Sequence, residues 1–182
     1  MNESKEKLIL NSLLKPEKEI RIAKIAKSIA EELNNSGFSI PIDIVYDTAL
    51  IMNLGQKQIS YIYKKNYDWD KHPKAKELNK MHGKFSVKKA EALGIELTNL
   101  QKEVIEKHSK GDYPYMLGLI LKTAEICESA LKRRKYNNKF QEPAKTWEEV
   151  EKIIKEDSKI SPRIFPYAKK VIEPLLTKKQ QE

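Results

Sequence analysis

The chain has 182 residues and a mass of 21.2 kDa, a size that suits one domain whose core needs no disulfides or metals. Apolar residues make up 40%, charged residues 34%, and there are only 6 glycines, so the composition favours a helical globular protein over a turn-rich β fold. The net charge is +9, but the lysines are spread along the chain and interleaved with glutamates, which favours ordinary solvated surface over one binding stripe.

The cysteine content and the length of the apolar runs indicate the cellular compartment of the protein. The single cysteine, Cys127, cannot form an internal disulfide, and its apolar neighbours predict a packed thiol. No apolar run approaches the roughly 18–20 residues that span a bilayer, and the N-terminal KLILNSLLK is too short and too interrupted for a signal sequence. We therefore expect a cytoplasmic protein that does not bind membranes.

The N-terminal third of the chain predicts two helices. The first begins after Pro16, which suits a first-turn position, and ends at Asn34-Asn35-Ser36-Gly37. Pro41 opens the second helix, which runs into Asn53 and ends near Gly55. The sequence that follows, up to Pro73, has no clear period. The inward stripes of the two helices are Ile22, Ala23, Ala26, Ile29, Ala30 and Leu33, and Ile42, Val45, Tyr46, Ala49 and Leu50.

Three further helices are expected in the middle of the chain. One runs from about Lys74 to Leu93, and Thr98 is the expected N-cap of the next. A long helix follows from about Tyr115 to Tyr136. The residues of the first of these helices that we expect to face inward are Leu78, Met81, Phe85 and Leu93.

Two helices close the chain, and the first of them is short. Thr146 and Glu149 form a capping box, in which the threonine side chain accepts from a free amide and the glutamate reaches back. Ser161-Pro162 begins the last helix. The sequence therefore predicts an all-α, single-domain bundle of about eight or nine helices over residues 1–182, with its core at about 16–176 and a short polar C-terminal tail.

Six segments occur in an order that resembles the HD superfamily of metal-dependent phosphohydrolases, and most closely its HD-GYP branch, which cleaves cyclic dinucleotides. The segments are EIRIAKIAKSIAEEL, DTALIMNLGQ, ELNKMHGKFSVKKAEALGI, EVIEKHSKGDYPY, ILKTAEICESALKRRKY and TWEEVEKIIKEDSKISPRI. The resemblance implies an HD-like helical fold. It also implies that His82 and His108 stand at metal-ligand positions and that Glu125 stands where the family has an Asp.

The same resemblance shows where the chain departs from the family. Met52 and Asn53 replace the adjacent His and Asp, whose Asp bridges two metal ions. A thioether is a poor ligand for Mg, Mn or Fe, and a neutral amide does not replace a bridging anion, so this change should disable two-metal chemistry. Lys18 replaces the first-helix His, Gln56 the family Lys, and Ser109 the second member of the paired His.

Two interpretations of the remaining ligand-type residues stay open. In the first, His82 and His108 are buried structural histidines, and the protein needs no cofactor. In the second, His82, His108 and Glu125 hold one divalent metal such as Mn, Fe, Zn or Mg. The first interpretation is the expectation.

The strongest basic cluster lies at the predicted end of the long helix. Lys132, Arg133, Arg134 and Lys135 precede Tyr136, a combination suited to phosphate contact. The same residues would also complement the dipole of a helix C-terminus, so the pattern favours neither role.

Three functions follow from these patterns. The leading hypothesis is a degenerate HD domain without phosphodiesterase activity, which binds a nucleotide or a protein partner as a regulatory or signalling module. The second is a weak or atypical metal-dependent phosphohydrolase using His82, His108 and Glu125. The third is a basic helical protein that binds nucleic acid. The sequence carries no signal for an oligomeric state.

Overall fold

The computed structural model describes residues 3–59, 77–132, 134–136, 139–156 and 160–179, except the side chains of 134–136, 139–141 and 178–179. The predicted all-α bundle of eight or nine helices is confirmed: this part of the chain has eight α-helices, one 3-10 turn (Pro162–Ile164) and one small hairpin. Residues 56–59 and 77–79 are also helical. The α-helices are α1 (Glu3–Ser12), α2 (Pro16–Asn35), α3 (Ile42–Ile51), α4 (His82–Ala92), α5 (Asn99–His108), α6 (Tyr115–Ala130), α7 (Trp147–Glu156) and α8 (Phe165–Lys179).

Helix α2 is the centre of the bundle and packs against α3, α6 and α8. The proline at its first position has no amide hydrogen to leave unpaired, and the helix ends where Gly37 takes a positive φ of 93°. The predicted inward stripe is buried along its whole length. Because α2 has partners on several sides, side chains near both of its ends can be buried. Its first turn contributes to the candidate site described below.

One main hydrophobic cluster includes residues from each of the helices α1 to α8. It extends beyond the predicted lower boundary at residue 16, because Ile9 of α1 and Leu13 are buried in it. At the other end Leu176 of α8 is also buried, close to the predicted limit of the core. A smaller cluster consists of Ile59 with Leu78 and Phe85 packed on it. None of the helices in the described ranges is long and apolar enough to cross a membrane.

The predicted caps at Thr98, Thr146 and Ser161 are present, with one difference in detail. Thr98 caps α5 with a complete capping box, in which Gln101 returns the hydrogen bond. Thr146 accepts from the Glu149 amide at 3.3 Å, as expected. The Glu149 carboxylate, however, accepts from the Lys145 amide at 2.7 Å. Ser161 caps the 3-10 turn that leads into α8.

The long helix predicted up to Tyr136 is wrong at its end. Helix α6 stops at Ala130, and strands β1 (Arg134–Tyr136) and β2 (Lys139–Gln141) then pair antiparallel. The Ala144 amide donates to Ala130 O at 2.8 Å, so the returning chain satisfies a carbonyl in the last turn of the helix. Helical periodicity cannot show a stop of this kind, because the partner lies 14 residues further along the chain.

The helix predicted from about Lys74 to Leu93 is interrupted in its described part, and its predicted start lies outside the described residues. The backbone forms a turn at residues 80–81, and α4 begins at His82. Met81 lies in this turn with 42% of its surface exposed, so the expectation that it faces inward is wrong. The turn changes the direction of the chain just before His82, which is the first residue of α4.

The thiol of Cys127 gives a direct test of the packing of α6. Cys127 is buried in the core, and burial raises the pKa of its thiol to about 12. Because the thiolate is the reactive form, we expect labelling by a disulfide reagent at pH 8 to be at least about a hundredfold slower in the native protein than in guanidinium chloride. Rapid labelling of the native chain would contradict this packing, and Cys127→Ser gives the background rate.

Candidate functional site

The candidate site lies where four parts of the fold meet. They are the first turn of α2, the Met52–Gly55 turn after α3, the start of α4 and the end of α5. Helix α6 passes behind them and carries Glu125. The predicted second helix, expected to run into Asn53, ends at Ile51, and the following turn carries Met52 and Asn53.

A single hydroxyl group holds this turn against α4. Ser86 Oγ accepts from the Gly55 amide at 2.8 Å. Its own hydrogen faces two carbonyl oxygens, Met52 O at 2.8 Å and His82 O at 2.9 Å. Ser86 has no solvent exposure, so these polar groups have no water to replace it.

Two glycines permit the close approach of the backbones around the site. A Cβ atom at Gly55 would overlap His82 O, and one at Gly83 would overlap Ile105 O. The first contact brings the turn onto α4, and the second brings α4 onto α5. The glycine of the ALIMNLGQ segment therefore has a packing role that does not depend on any ligand.

Met52 and Asn53 have opposite environments although they are adjacent. Met52 is fully buried in the main hydrophobic cluster. Asn53 is also buried, but its amide is bonded on both sides: Nδ2 donates to Glu19 Oε2 at 2.9 Å, and Oδ1 accepts from Gln56 Nε2 at 2.7 Å. The structure thus brings two of the predicted motif positions, Asn53 and Gln56, into one hydrogen-bonded network.

His82 and His108 meet in the interior. Their Nε2 atoms lie 2.8 Å apart, and their rings are nearly perpendicular, at 80°. Each Nδ1 lies 2.5 Å from a backbone carbonyl oxygen, Asn79 O for His82 and Ile105 O for His108. The structure therefore brings together the two histidines that the sequence singles out.

Burial keeps both imidazoles neutral at pH 7. It lowers the pKa of His108 to about 4 and also lowers the pKa of His82. The negative charge of Glu125 opposes both shifts, whereas Lys18 adds to that of His82 and Lys122 to that of His108. The two lysines thus act on the pair from different elements, α2 and α6.

Glu125 lies near the histidines but has a different direct partner. Its Oε2 accepts from Tyr113 Oη at 2.8 Å, and Lys122 Nζ lies 4.9 Å from the centre of the Tyr113 ring. Among the described residues, no group of three or more His, Cys, Asp or Glu side chains is placed to hold a metal ion. The combination of His82, His108 and Glu125 therefore stays a prediction.

The other predicted positions have structural partners. Lys18 Nζ lies 4.0 Å from Glu19 Oε1, and the lysine side chain is 28% exposed. Ser109 Oγ donates toward Lys80 O at 2.7 Å and so ties the end of α5 to the turn before α4. In the basic cluster, Lys132 is exposed. The side chains of Arg133, Arg134 and Lys135 lie outside the described part of the chain.

Glu19 is the site residue that the sequence reasoning missed. It is only 2% exposed and bonds directly to Asn53, whereas the sequence pointed to its neighbour Lys18. Burial raises the pKa of Glu19, and Lys18 and the Asn53 amide lower it in part. A signal was present: Glu19 stands three and four residues before Ile22 and Ala23, on the buried stripe of α2.

Removing the Ser86 hydroxyl tests how the site is held. We expect Ser86→Ala to lower the free energy of unfolding by about 2–3 kcal/mol, because the Gly55 amide would be buried without a partner. Ser36→Ala is the matched control, since Ser36 Oγ makes one exposed bond to Glu32 O, and we expect a change within about 0.5 kcal/mol. Urea unfolding of both variants measures the difference. Equal losses would contradict the role of Ser86.

Comparison with models of protein families, with curated proteins and with solved structures finds no match for this chain. The resemblance to the HD superfamily therefore stays a prediction from the six sequence segments.

Proposed function

We propose that this chain is an HD-like helical domain that does not hydrolyse phosphodiesters by two-metal chemistry and acts as a binding or regulatory module. The observation that carries the proposal is the state of Asn53. A bridging ligand between two cations has to be an anion with two free oxygens. Asn53 offers one neutral carbonyl oxygen, and its amide nitrogen is bonded to Glu19.

The neighbouring positions support the same proposal. Met52, where the family has a His, is fully buried in the apolar core and so has no path to a polar centre. Lys18 stands beside Glu19 and carries a positive charge where the family has a metal ligand. Two cations would meet these residues and only two imidazoles, a set that does not fit a binuclear centre.

A nucleotide is the partner that the local charges favour. The positive charge of Lys18 on α2 lowers the pKa of His82, and that of Lys122 on α6 lowers the pKa of His108, so two cationic side chains act on the pair, and cationic side chains favour a phosphate ligand. The proposal includes a signalling role in a reducing cytoplasm, in keeping with the buried free thiol of Cys127. A protein partner is the other form of the same proposal.

A one-metal phosphohydrolase is the second candidate, and one observation favours it. The Nε2 atoms of His82 and His108 point at each other, as two ligands of a single ion would. Hydrolysis also needs an activated water and a site that binds the substrate's phosphate. Binding of nucleic acid is the third candidate, supported by the exposed Lys132 and the net charge of +9.

An assay for hydrolysis tests the loss of two-metal chemistry. We expect the full chain, mixed with Mn²⁺, Fe²⁺, Mg²⁺ or Ni²⁺, to turn over cyclic dinucleotides and bis-p-nitrophenyl phosphate no faster than the metal alone. The physical reason is the missing bridging carboxylate at Asn53. Turnover above that background that disappears in His82→Ala would contradict the proposal, and the same variant controls for a contaminating enzyme.

Calorimetric titration with a cyclic dinucleotide tests the nucleotide form of the proposal. We expect Lys18→Ala and Lys122→Ala each to weaken binding by about tenfold, since each removes a charged phosphate contact worth roughly 1.4 kcal/mol. Lys27→Ala is the matched control, because Lys27 is also on α2 and pairs with Glu31 at the surface. Binding that is equally strong in all three variants, or no binding to the wild type, would count against a nucleotide and leave the protein partner.

A further inference from the structure

A pocket separate from the histidine pair lies between the end of α1, the segment after α3 and helix α4. It is open to solvent and has a volume of about 500 Å³, which is within the range of small-molecule sites. Its lining side chains are Asn11, Ser12, Leu54, Lys57, Gln58 and Lys89. Five of these six side chains are polar, and two of them are cationic.

Two adjacent residues show where this pocket is divided from the HD-like site. Gln56 Nε2 donates to Asn53 Oδ1 at 2.7 Å, inside the candidate site. Lys57 Nζ donates instead to Asn11 O at 3.3 Å, at the end of α1. None of the residues that line the pocket stands at a ligand position that the HD resemblance assigns. The pocket is therefore a second place on the molecule where a ligand could bind.

The pocket has two ammonium groups and no carboxylate among its described lining residues. Lys57 comes from the segment after α3 and Lys89 from α4, so the two charges reach the pocket from different elements. Within the ranges that the structure describes, neither lysine forms an ion pair, and Lys57 has only the neutral acceptor Asn11 O. Like charges that line one pocket repel each other, and an anion between them removes that repulsion.

Two other pockets show that this charge pattern is local. One, of about 450 Å³, is lined by three glutamates and two lysines, and the other, of about 440 Å³, by two glutamates and one lysine. In both of them carboxylates outnumber the ammonium groups. The cationic lining of the pocket at Lys57 is therefore not a simple consequence of the net charge of +9.

The neutral side chains of the pocket define the class of ligand. The amides of Asn11 and Gln58 and the hydroxyl of Ser12 can each donate to an anionic oxygen or accept from a ligand hydroxyl. Leu54 and the aliphatic stems of the lysines add apolar carbon. No aromatic side chain is among the lining residues that the structure describes, so a nucleobase would have no ring to stack on. The set fits a phosphate group on a small hydroxylated carbon skeleton.

We propose that this pocket binds a small phosphate monoester that carries hydroxyl groups, of the sugar phosphate class. Lys57 and Lys89 bind the phosphate, and the three neutral polar side chains bind the hydroxyl groups. Lysine ammonium groups bind phosphate as point charges and lack the planar fork with which arginine pairs a carboxylate. The inference goes beyond the proposed function, because its residues, its ligand and its place in the fold differ from those of the HD-like site.

A ligand in this pocket would also tie helix α1 to the rest of the bundle. Helix α1 packs against α3, and Ile9 is its buried residue. A ligand that contacts Ser12 and Lys89 together would connect the end of α1 to α4, which supply opposite walls of the pocket. Because such a ligand binds only the folded chain, its presence should raise the Tm in proportion to the logarithm of its concentration once the pocket is saturated.

Calorimetric titration of the full chain with glucose-6-phosphate tests the proposal, with glucose, inorganic phosphate and adenosine monophosphate as comparison ligands. We expect glucose-6-phosphate to bind with a Kd below about 1 mM, more tightly than the other three. Lys57→Ala and Lys89→Ala should each weaken this binding by about tenfold. Lys84→Ala is the matched control, because Lys84 is also exposed on α4 but does not line the pocket, and its affinity should be unchanged.

The outcomes separate this inference from the proposed function. No binding of glucose-6-phosphate by the wild type, or binding that is equally strong in Lys57→Ala and Lys89→Ala, overturns the proposal and leaves the loss of hydrolysis untouched. Inorganic phosphate or adenosine monophosphate binding as tightly as glucose-6-phosphate overturns the class of ligand. Binding that is lost in Lys18→Ala but kept in Lys57→Ala assigns the ligand to the HD-like site and also overturns the proposal. Lys57 and Lys89 are exposed, so an unchanged urea midpoint confirms that both variants fold.

Discussion

The geometry of the candidate site depends on the bond that Ser86 makes to the turn after α3. One hydroxyl group accepts from Gly55 and faces the carbonyls of Met52 and His82, so it fixes the turn and the start of α4 to each other. Asn53 lies inside this turn and therefore has little freedom. Because Gly55 has no Cβ, the two backbones come close enough for the bond to form. The position of the amide relative to the histidines is thus a property of the backbone, and its orientation is a property of Glu19.

Much of the fold could be predicted from the sequence, since its signals are local. The buried stripe of α2, the glycine that ends this helix and the Thr98 cap each depend on residues within one or two turns. The predicted helix bounds are wrong where contacts between residues far apart in the sequence determine the structure. At the end of α6, Ala130 O is paired with the amide of Ala144, 14 residues further along the chain, and the turn at Met81 interrupts a stretch whose sequence predicts one helix.

The candidate site was predictable in part for the same reason. The order of the segments brought out Asn53, Gln56 and both histidines, and these residues do meet. Sequence order cannot show which of two adjacent polar residues turns inward, and here Glu19 does so while Lys18 stays at the edge. Nor can it show that Glu125 is bonded to Tyr113. Such choices depend on the rotation of α2 and α6 about their axes, which is set by packing across the whole bundle.

The energetics of the network bear on whether it is only structural. Burying a carboxylate, an amide and two imidazoles costs free energy, and well-packed apolar side chains in their place are often as stable or more so. Met52, the residue before Asn53, is an apolar side chain fully buried in the same part of the core. Stability alone therefore gives no reason for His82 Nε2, His108 Nε2 and Asn53 Oδ1 to lie close together beside this apolar part of the core.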